Sequence, residues 1–261
     1  MPTQGRLGTG VAGLDEMLGG GLPAKSVTLL RGGPGAGKST LAMQFLVEGA
    51  RRGEKGLYLT LEEPIAEVLE HADAFGWDAR ELVRKGELAI HTLTLTRVKD
   101  YLKDSPGAAN WLASIESSST AAGLSGEFRS DVLSSILLRL ISESGAKRLV
   151  LDSLTMFTSQ FEHRVDLHME TLDLIRQLAK AGTTTIFIAH ADPSGAHTFA
   201  AEEYLSHGVI NLHYVQHQAR VTQAIQVLKM RGAAHDRELR PYRIGESGFA
   251  VYPQESVLGG F

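Results

Sequence analysis

Gly32-Gly33-Pro34-Gly35-Ala36-Gly37-Lys38-Ser39 is the most informative stretch of this chain. It fits the pattern G-x-x-x-x-G-K-[ST], follows an apolar segment of strand length at residues 27–30 and precedes a helical pattern at about 39–51. A strand, a glycine-rich turn and a helix in this order are the context in which the pattern binds phosphate. The alternative is a glycine-rich turn that only connects strand and helix. The sequence therefore predicts a nucleoside-triphosphate-binding domain of the P-loop type.

Each position of this motif suits a bound triphosphate. Glycines let the backbone wrap closely, so that successive N–H groups point at phosphate oxygens, and the following helix directs its positive end at the same anion. We expect Lys38 to reach the β- and γ-phosphates and act in catalysis, and the Ser39 hydroxyl to bind Mg²⁺. The predicted nucleotide contacts are Gly33, Pro34, Gly35, Ala36, Gly37, Lys38, Ser39 and Thr40. The motif alone does not separate hydrolases from small-molecule kinases.

The rest of the chain predicts an α/β fold. Apolar segments of strand length alternate with helical patterns, which is typical of βαβ units and a parallel sheet. Strands are expected at residues 27–30, 57–61, 88–93, 148–152 and 184–189, and helices at 39–51, from 64, at 131–141 and at 165–181. Three consecutive strands at 208–215, 222–229 and 241–251 favour antiparallel pairing. We therefore predict a mixed, mainly parallel central sheet flanked by helices, with an antiparallel C-terminal strand extension.

The composition excludes several classes of protein. The formal net charge of −4 does not favour a nucleic-acid coat or a polybasic membrane anchor. The chain has no cysteine, which excludes disulfides, thiol catalysis and cysteine–zinc sites. The N-terminus lacks an apolar signal core, and no segment approaches the roughly 18 apolar residues of a membrane span. We expect one cytoplasmic domain over residues 1–261, with residues 97–130 as an exposed insertion.

Two adjacent carboxylates, Glu62 and Glu63, follow the strand predicted after the P-loop helix. Ligands of parallel α/β sheets bind beyond the carboxyl ends of the strands, so both acids are expected near the γ-phosphate. A carboxylate there can orient and deprotonate an attacking water. The alternative is a helix N-terminus in which acids only complement the helix dipole. Two adjacent acids cannot both point at one atom, so one is expected to position the other or to face a neighbouring subunit.

Asp152 ends another apolar strand, Arg148-Leu149-Val150-Leu151-Asp152. An acid at that place is the Walker B pattern, in which the aspartate holds Mg²⁺ through water. The alternative is a strand-terminal aspartate that caps the next segment. Ser153 and Thr155 are candidates for supporting hydrogen bonds. His190 ends a strand expected beside that of Asp152, where it either senses the γ-phosphate or is a loop histidine without a role.

Five further stretches, spread over nearly the whole chain, form a family pattern. An entry segment from Thr9 to Pro23 precedes the P-loop. The others are Leu61-Glu62-Glu63 with Phe75-Gly76-Trp77-Asp78 behind it, Leu151-Asp152-Ser153-Leu154-Thr155, Leu228-Lys229-Met230-Arg231-Gly232 followed by His235, and residues 244–253. Together they resemble the KaiC-like branch of the RecA/RadA-like ATPases, and only residues 97–127 have no recognisable counterpart.

The resemblance implies a RecA-like P-loop ATPase that forms a ring, usually a hexamer, with ATP and Mg²⁺ between its subunits. By position, Glu62 corresponds to the general base and Glu63 to the residue that assists it. The resemblance therefore implies ATP hydrolysis with a regulatory or switching role. A protein partner is compatible with the sequence, but nothing in it identifies one.

The resemblance also assigns a role to the segment around residue 230. Lys229 and Arg231 correspond to cations that reach the γ-phosphate of the neighbouring subunit, and Met230 and His235 correspond to further nucleotide contacts there. A cation supplied by a neighbour neutralises transition-state charge and makes hydrolysis depend on assembly. Without the resemblance, these cations would be ordinary solvated side chains at a strand end.

Two other functions stay open at this point. The first is a DNA-binding recombinase relative, against which stand the acidic balance and the lack of an added DNA-binding domain before Thr9. The second is a kinase that phosphorylates itself or a partner, which the many serines and threonines at 114–125 permit. Nucleic-acid binding is therefore not expected, although a local basic patch is compatible with the charge.

Overall fold

The structure is a computed structural model that describes residues 5–93, 130–159, 163–191, 201–217 and 220–257. Residues 97–129 of the predicted insertion lie outside the described residues, and Ser130 begins a helix. None of the helices within the described ranges has the length and apolar character needed to cross a membrane.

Strands and helices alternate through most of the described chain, as the apolar pattern predicts. The strands are β1 Arg6–Leu7, β2 Leu22–Pro23, β3 Val27–Gly32, β4 Gly56–Thr60, β5 Leu88–Thr92, β6 Arg148–Asp152, β7 Thr184–His190, β8 Gly208–His217, β9 Arg220–Met230, β10 Arg240–Gly245 and β11 Gly248–Val251. The helices are α1 Leu14–Met17, α2 Lys38–Arg51, α3 Ile65–Asp73, α4 Ala79–Arg84, α5 Ser130–Ser144, α6 Leu154–Thr158, α7 Arg164–Ala181 and α8 Ala201–Leu205.

The main sheet has the strand order β11-β10-β9-β8-β3-β7-β6-β4-β5. The strands from β8 through β3, β7, β6 and β4 to β5 are parallel, whereas β8 to β11 pair antiparallel with one another. The predicted mixed sheet with its antiparallel C-terminal extension is therefore confirmed. Strand β3 lies inside the sheet between β7 and β8, and the chain leaves it for β4, three places away. Ligands of such sheets bind beyond the carboxyl ends of the strands near this kind of reversal in order.

One strand prediction is wrong in detail. Residues 241–251 form two strands, β10 and β11, rather than one, because Gly245 pairs with Gly248 across a two-residue turn. Gly248 has a φ of 113°, and a β-carbon on it would lie 2.5 Å from a ring carbon of Trp77. The hairpin therefore needs glycine at this position, both for the backbone angle and for close packing.

Apolar side chains cover both faces of the sheet, as a parallel sheet between helices requires. Neighbouring residues of β3 face opposite sides, so that Leu29 packs with helices α5 and α7 while Leu30 packs with helices α1 and α2. Because β3 is held on both faces and by strands on both edges, the loop that follows it starts from a fixed point.

A fully buried arginine, Arg148, ties the start of β6 to helix α2. Its guanidinium donates to Glu54 Oε2 at 2.5 and 2.8 Å, and to the carbonyls of Gly8 and Phe45 at 2.7 and 2.8 Å. Its central carbon lies 4.6 Å from the centre of the Phe45 ring. A β-carbon at Gly49 would lie 2.4 Å from Arg148 Cδ, so the helix can approach the arginine only with glycine there.

Replacing Glu54 with Gln is expected to destabilise the fold by about 2 kcal/mol, because it leaves the buried guanidinium without a balancing charge. This loss of stability is smaller than the loss expected for a fully buried pair, because 35% of the Glu54 side chain is exposed. The midpoint of chemical denaturation measures the effect. Glu81→Gln is the control, since it breaks the exposed Arg84–Glu81 pair and should leave the midpoint unchanged. Equal midpoints for the two variants would contradict the role of Glu54.

Candidate nucleotide-binding site

The phosphate loop connects the carboxyl end of β3 to the first turn of α2. Gly35 and Gly37 have φ angles of 70° and 86°, which favour glycine. Because Gly37 has no side chain to cap the helix, the first N–H groups of α2 are available to an anion. A β-carbon at Gly37 would lie 2.3 Å from a methyl group of Ile244, so glycine is also needed for packing against β10. The predicted loop thus has the backbone that phosphate binding requires.

Lys38 lies across its own loop. Its ammonium group donates to the carbonyls of Gly32 at 3.0 Å and Gly33 at 2.9 Å. Burial lowers the pKa of Lys38, while the charges of Asp152 and Glu62 act to raise it. A triphosphate would offer this half-desolvated ammonium a stronger anionic acceptor than two carbonyls.

Asp152 faces Ser39 across the sheet edge, as the two metal-site predictions require. The Ser39 hydroxyl donates to Asp152 Oδ2 at 2.8 Å, and the Tyr58 hydroxyl donates to the same oxygen. Asp152 is 8% exposed, and burial raises its pKa while the two hydroxyl groups lower it. Tyr58 was not predicted as part of the site. The sequence could not predict this contact, because it does not reveal that β4 and β6 are neighbouring strands.

The two adjacent glutamates point to different places. The Thr60 hydroxyl accepts the N–H groups of Glu62 at 3.1 Å and Glu63 at 2.8 Å, which turns the chain sharply after β4. The Ser153 hydroxyl donates to Glu62 Oε1, and the charge of Glu62 acts on Lys38. Burial and then the charge of Asp152 raise the pKa of Glu63, which borders a largely apolar cavity. Both acids thus lie near Asp152, and Glu62 is the one whose charge acts on Lys38.

His190 and Thr155 lie at the same edge of the sheet. His190 is opposite Gly32 in the β3–β7 pairing, and its N–H donates to the Thr155 hydroxyl at 2.8 Å. Ser153 also accepts the N–H of Met156 and so caps α6. These contacts fix Ser153 and the segment that follows it, directly after Asp152 at the end of β6.

A cavity of about 290 Å³ opens beside the first turn of α2. The rings of Phe75 and Trp77 stack in its wall with their centres 4.8 Å apart. Ser39, Thr40, Tyr58 and Glu63 also line the cavity, and its apolar wall includes Met43, Val68 and Ala72. In the sequence, Phe75 and Trp77 are informative only as part of a family pattern. Their role in a cavity depends on how α3 and the hairpin β10–β11 pack around them.

A family model described as "ATPase: KaiC" matches residues 7–256. The chain belongs to the KaiC ATPase family. A UPF0273 protein of Pyrococcus furiosus is 33% identical over 260 residues, which cover 98% of this chain and 97% of the relative. The circadian clock protein KaiC2 of Synechocystis is 30% identical over 251 residues, which cover 96% of this chain and 40% of that longer protein. The crystal structure of a KaiC-like protein from Pyrococcus horikoshii superimposes with a TM-score of 0.75 and 29% identity, covering 95% of this chain and 99% of that one.

Membership of the KaiC family suggests that the site described above binds ATP. The resemblance inferred from the sequence motifs is confirmed, and so is the fold class.

In this KaiC-family chain, Lys229 and Arg231 lie far from the phosphate loop. Lys229 pairs with Val209 near the start of β8, and Val209 is opposite Leu29, whereas the loop begins after Gly32. Three residues of strand separate the two levels, about 10 Å along β3. Within one chain, the structure therefore does not bring the predicted cations and the phosphate cradle together.

Both cations are held by carbonyl groups of the short helix α8. Lys229 donates to the carbonyls of Glu203 at 2.6 Å and Tyr204 at 3.0 Å, and Arg231 donates to that of Tyr204 at 2.6 Å. Burial and the charge of Arg231 lower the pKa of Lys229 to about 8. His235 lines a cleft together with Lys229 and Arg231.

Met230, the remaining predicted contact, is 3% exposed and packs in the core. Only its backbone can therefore meet a nucleotide.

Proposed function

We propose that this chain is a Mg²⁺-dependent ATPase that assembles into a ring and hydrolyses ATP at the contacts between its copies. The position of Lys229 and Arg231, at the level of the sheet away from the phosphate loop, supports this most directly. Head-to-tail contacts of a ring join two different surfaces of the same chain, so they can bring such cations to a neighbour's nucleotide. Family membership supports ATP as that nucleotide, and the resemblance to KaiC-like ATPases implies a hexamer as the ring.

Ser39 and Asp152 have the right chemistry to hold the metal ion. Within the described ranges, no three His, Asp or Glu side chains cluster in a way that could bind a metal. Mg²⁺ needs no such cluster, because it binds through one or two protein oxygens together with phosphates and water. Once bound, the ion supplies positive charge to the β- and γ-phosphate oxygens. A cation there would also favour ionised Asp152, against the effect of burial.

Glu62 is the proposed general base. It follows β4 at the phosphate edge, and the Ser153 hydroxyl fixes one of its carboxylate oxygens. Its other oxygen can accept a proton from a water molecule that attacks the γ-phosphorus, while the bond to the β-phosphate oxygen breaks. Glu63 borders the cavity, and its proposed part is to keep the turn and the charge balance beside Glu62.

Lys38 would exchange its carbonyl partners for β- and γ-phosphate oxygens when the triphosphate enters. Lys229 and Arg231 of the neighbouring copy would then approach the γ-phosphate from the open side, with His235 and the backbone of Met230 beside them. Since their positive charge matters most when charge develops on the transferred phosphoryl group, turnover would depend on assembly. Such dependence suits a regulatory switch, in which ATP turnover responds to the assembled state.

The cavity beside Thr40 is the proposed site for the purine base. Its wall is apolar and contains the stacked Phe75 and Trp77 rings, which match the flat face of a purine. It lies next to the N-terminal turn of α2, where the proximal phosphates would bind.

Phosphate release and assembly state together test this function. With ATP and Mg²⁺, we expect free phosphate, a particle several times the 28.2 kDa of one chain by light scattering, and loss of both activity and nucleotide when the metal is chelated. With γ-labelled ATP the label should appear as free phosphate. Label retained on the protein would favour a kinase, and activity from monomers alone would contradict the shared site.

A further inference from the structure

Helix α8 lies between the strand that leads into the phosphate loop and the two cations at residues 229 and 231. Arg31 of β3 forms an ion pair with Glu203 of α8, through Arg31 Nη1 and Glu203 Oε1. Both side chains are largely buried, with 18% and 5% of their surfaces exposed. Arg31 immediately precedes Gly32, whose carbonyl accepts the ammonium group of Lys38. One side of α8 is therefore fixed to the base of the phosphate loop.

The other side of α8 holds the cations. The carbonyls of Glu203 and Tyr204, in the last turn of this five-residue helix, accept three hydrogen bonds from Lys229 and Arg231. The last carbonyls of a helix have no partner within it and carry partial negative charge, so they are natural acceptors for cations. The position of α8 thus determines where the two positive groups stand.

The five described residues of α8 are too few to be stable by themselves, so tertiary contacts, including those with helix α7, set their position. Leu205 packs on the core, and Glu203 supplies the one ion pair that links α8 to β3 among the described residues. Breaking a buried ion pair is costly, because loss of either partner leaves an uncompensated charge. The pair is therefore suited to hold α8 in one place.

We propose that Arg31 and Glu203 are positioning residues that hold Lys229 and Arg231 in place for the neighbouring copy. This inference rests on the proposed function, since it requires that the cations act on the neighbour's nucleotide. Through α8, the phosphate loop of a chain is connected to the cations that the same chain contributes to its neighbour's site. Neither side chain is proposed to contact the nucleotide: Arg31 acts through Glu203, and the Glu203 carbonyl in α8 holds Lys229.

Glu203→Gln tests the proposal with little change of shape. We expect turnover to fall about 10- to 100-fold, because a small displacement of a catalytic group can cost as much as 10². The affinity of the ring for ATP in equilibrium binding should change less than the turnover, since the cradle itself is intact. Glu202→Gln, on the same helix but in no ion pair among the described residues, is the matched control and should retain full turnover.

Mixed rings show on which side of the contact Glu203 acts. Glu203→Gln chains keep the phosphate loop and should regain activity when mixed with Lys38→Ala chains, which still offer well-placed cations. They should regain none when mixed with Arg231→Ala chains, because both members then lack working cations. Recovery with Arg231→Ala chains but not with Lys38→Ala chains would mean that Glu203 acts on the phosphate loop of its own chain. That result would overturn the proposal.

Two further measurements keep the outcome interpretable. If Glu203→Gln chains do not assemble, Glu203→Asp replaces them in the same mixtures. This variant keeps the charge but shortens the side chain by one methylene group. It must show the same pattern of recovery, with a smaller loss of turnover. Recovery in a mixture of Arg231→Ala and Lys38→Ala chains tests the shared site itself. If that mixture recovers but Glu203→Gln with Lys38→Ala does not, only the positioning role fails. If neither recovers although mixed rings are seen by native mass spectrometry, the proposed function fails.

Discussion

Replacing Glu62 with Gln is expected to lower ATP turnover by about 10²- to 10⁴-fold, the usual effect of removing a general base. The amide keeps the shape of the side chain and can still bind the Ser153 hydroxyl, but it cannot take a proton from the attacking water. ATP binding should be retained, because the phosphate loop, Ser39 and Asp152 are unchanged. Single-turnover hydrolysis and equilibrium nucleotide binding, measured on the assembled protein, separate the two effects.

Glu63→Gln is the matched control for this variant. Glu63 is the next residue and also an acid, but it borders the cavity, whereas Glu62 accepts the Ser153 hydroxyl. Its replacement should lower turnover less than tenfold, since no proton transfer is assigned to it. Equal losses for the two variants, or full turnover in Glu62→Gln, would remove Glu62 from the role of base.

Motifs that are contiguous in sequence were predictable, because local spacing determines what they do. The phosphate loop needs its glycines, Lys38 and Ser39 in one order, and the rule that ligands bind beyond strand ends places Glu62 and Asp152 on the same edge. The structure confirms that these strand ends meet. It also shows that the Ser153 hydroxyl donates to Glu62 whereas Glu63 borders the cavity, a difference that the sequence did not predict.

Contacts between distant segments were not predictable from one sequence. Tyr58 and Asp152 are 94 residues apart, and Arg31 and Glu203 are 172 residues apart. Each pair meets only because of the strand order, which periodicity does not reveal. The break between β10 and β11 was missed although Gly245-Glu246-Ser247-Gly248 is rich in residues that favour turns.

Replacing Arg231 with Ala is expected to lower turnover of the assembled protein by about 10³- to 10⁵-fold, the range for a cation supplied to a phosphoryl transition state. The pKa of Lys229 is lowered to about 8, so this amine is partly neutral just above neutrality, whereas guanidinium groups in general stay protonated. Arg231 is therefore the more dependable of the two cations. Its removal leaves the phosphate loop, Glu62 and Asp152 of the same chain intact.

Mixing variants shows whether the lost group acts on the neighbour. Lys38→Ala chains lack a working phosphate loop but keep Arg231, and Arg231→Ala chains have the opposite defect. In rings formed at random from equal amounts, about one quarter of the head-to-tail contacts join an intact loop to intact cations. Activity near that fraction of the unmodified protein's is expected, against almost none for either variant alone.

Glu62→Gln and Lys38→Ala together form the matched control, because both defects lie on the loop side of the contact. Every contact in their mixed rings lacks either a base or a phosphate-binding lysine, so no activity should return. Arg231→Ala with Glu62→Gln, by contrast, should recover as the first mixture does, since the defects again lie on opposite sides. Recovery in the control mixture, or none in the other two when native mass spectrometry shows mixed rings, would mean that Arg231 does not act across a contact between copies.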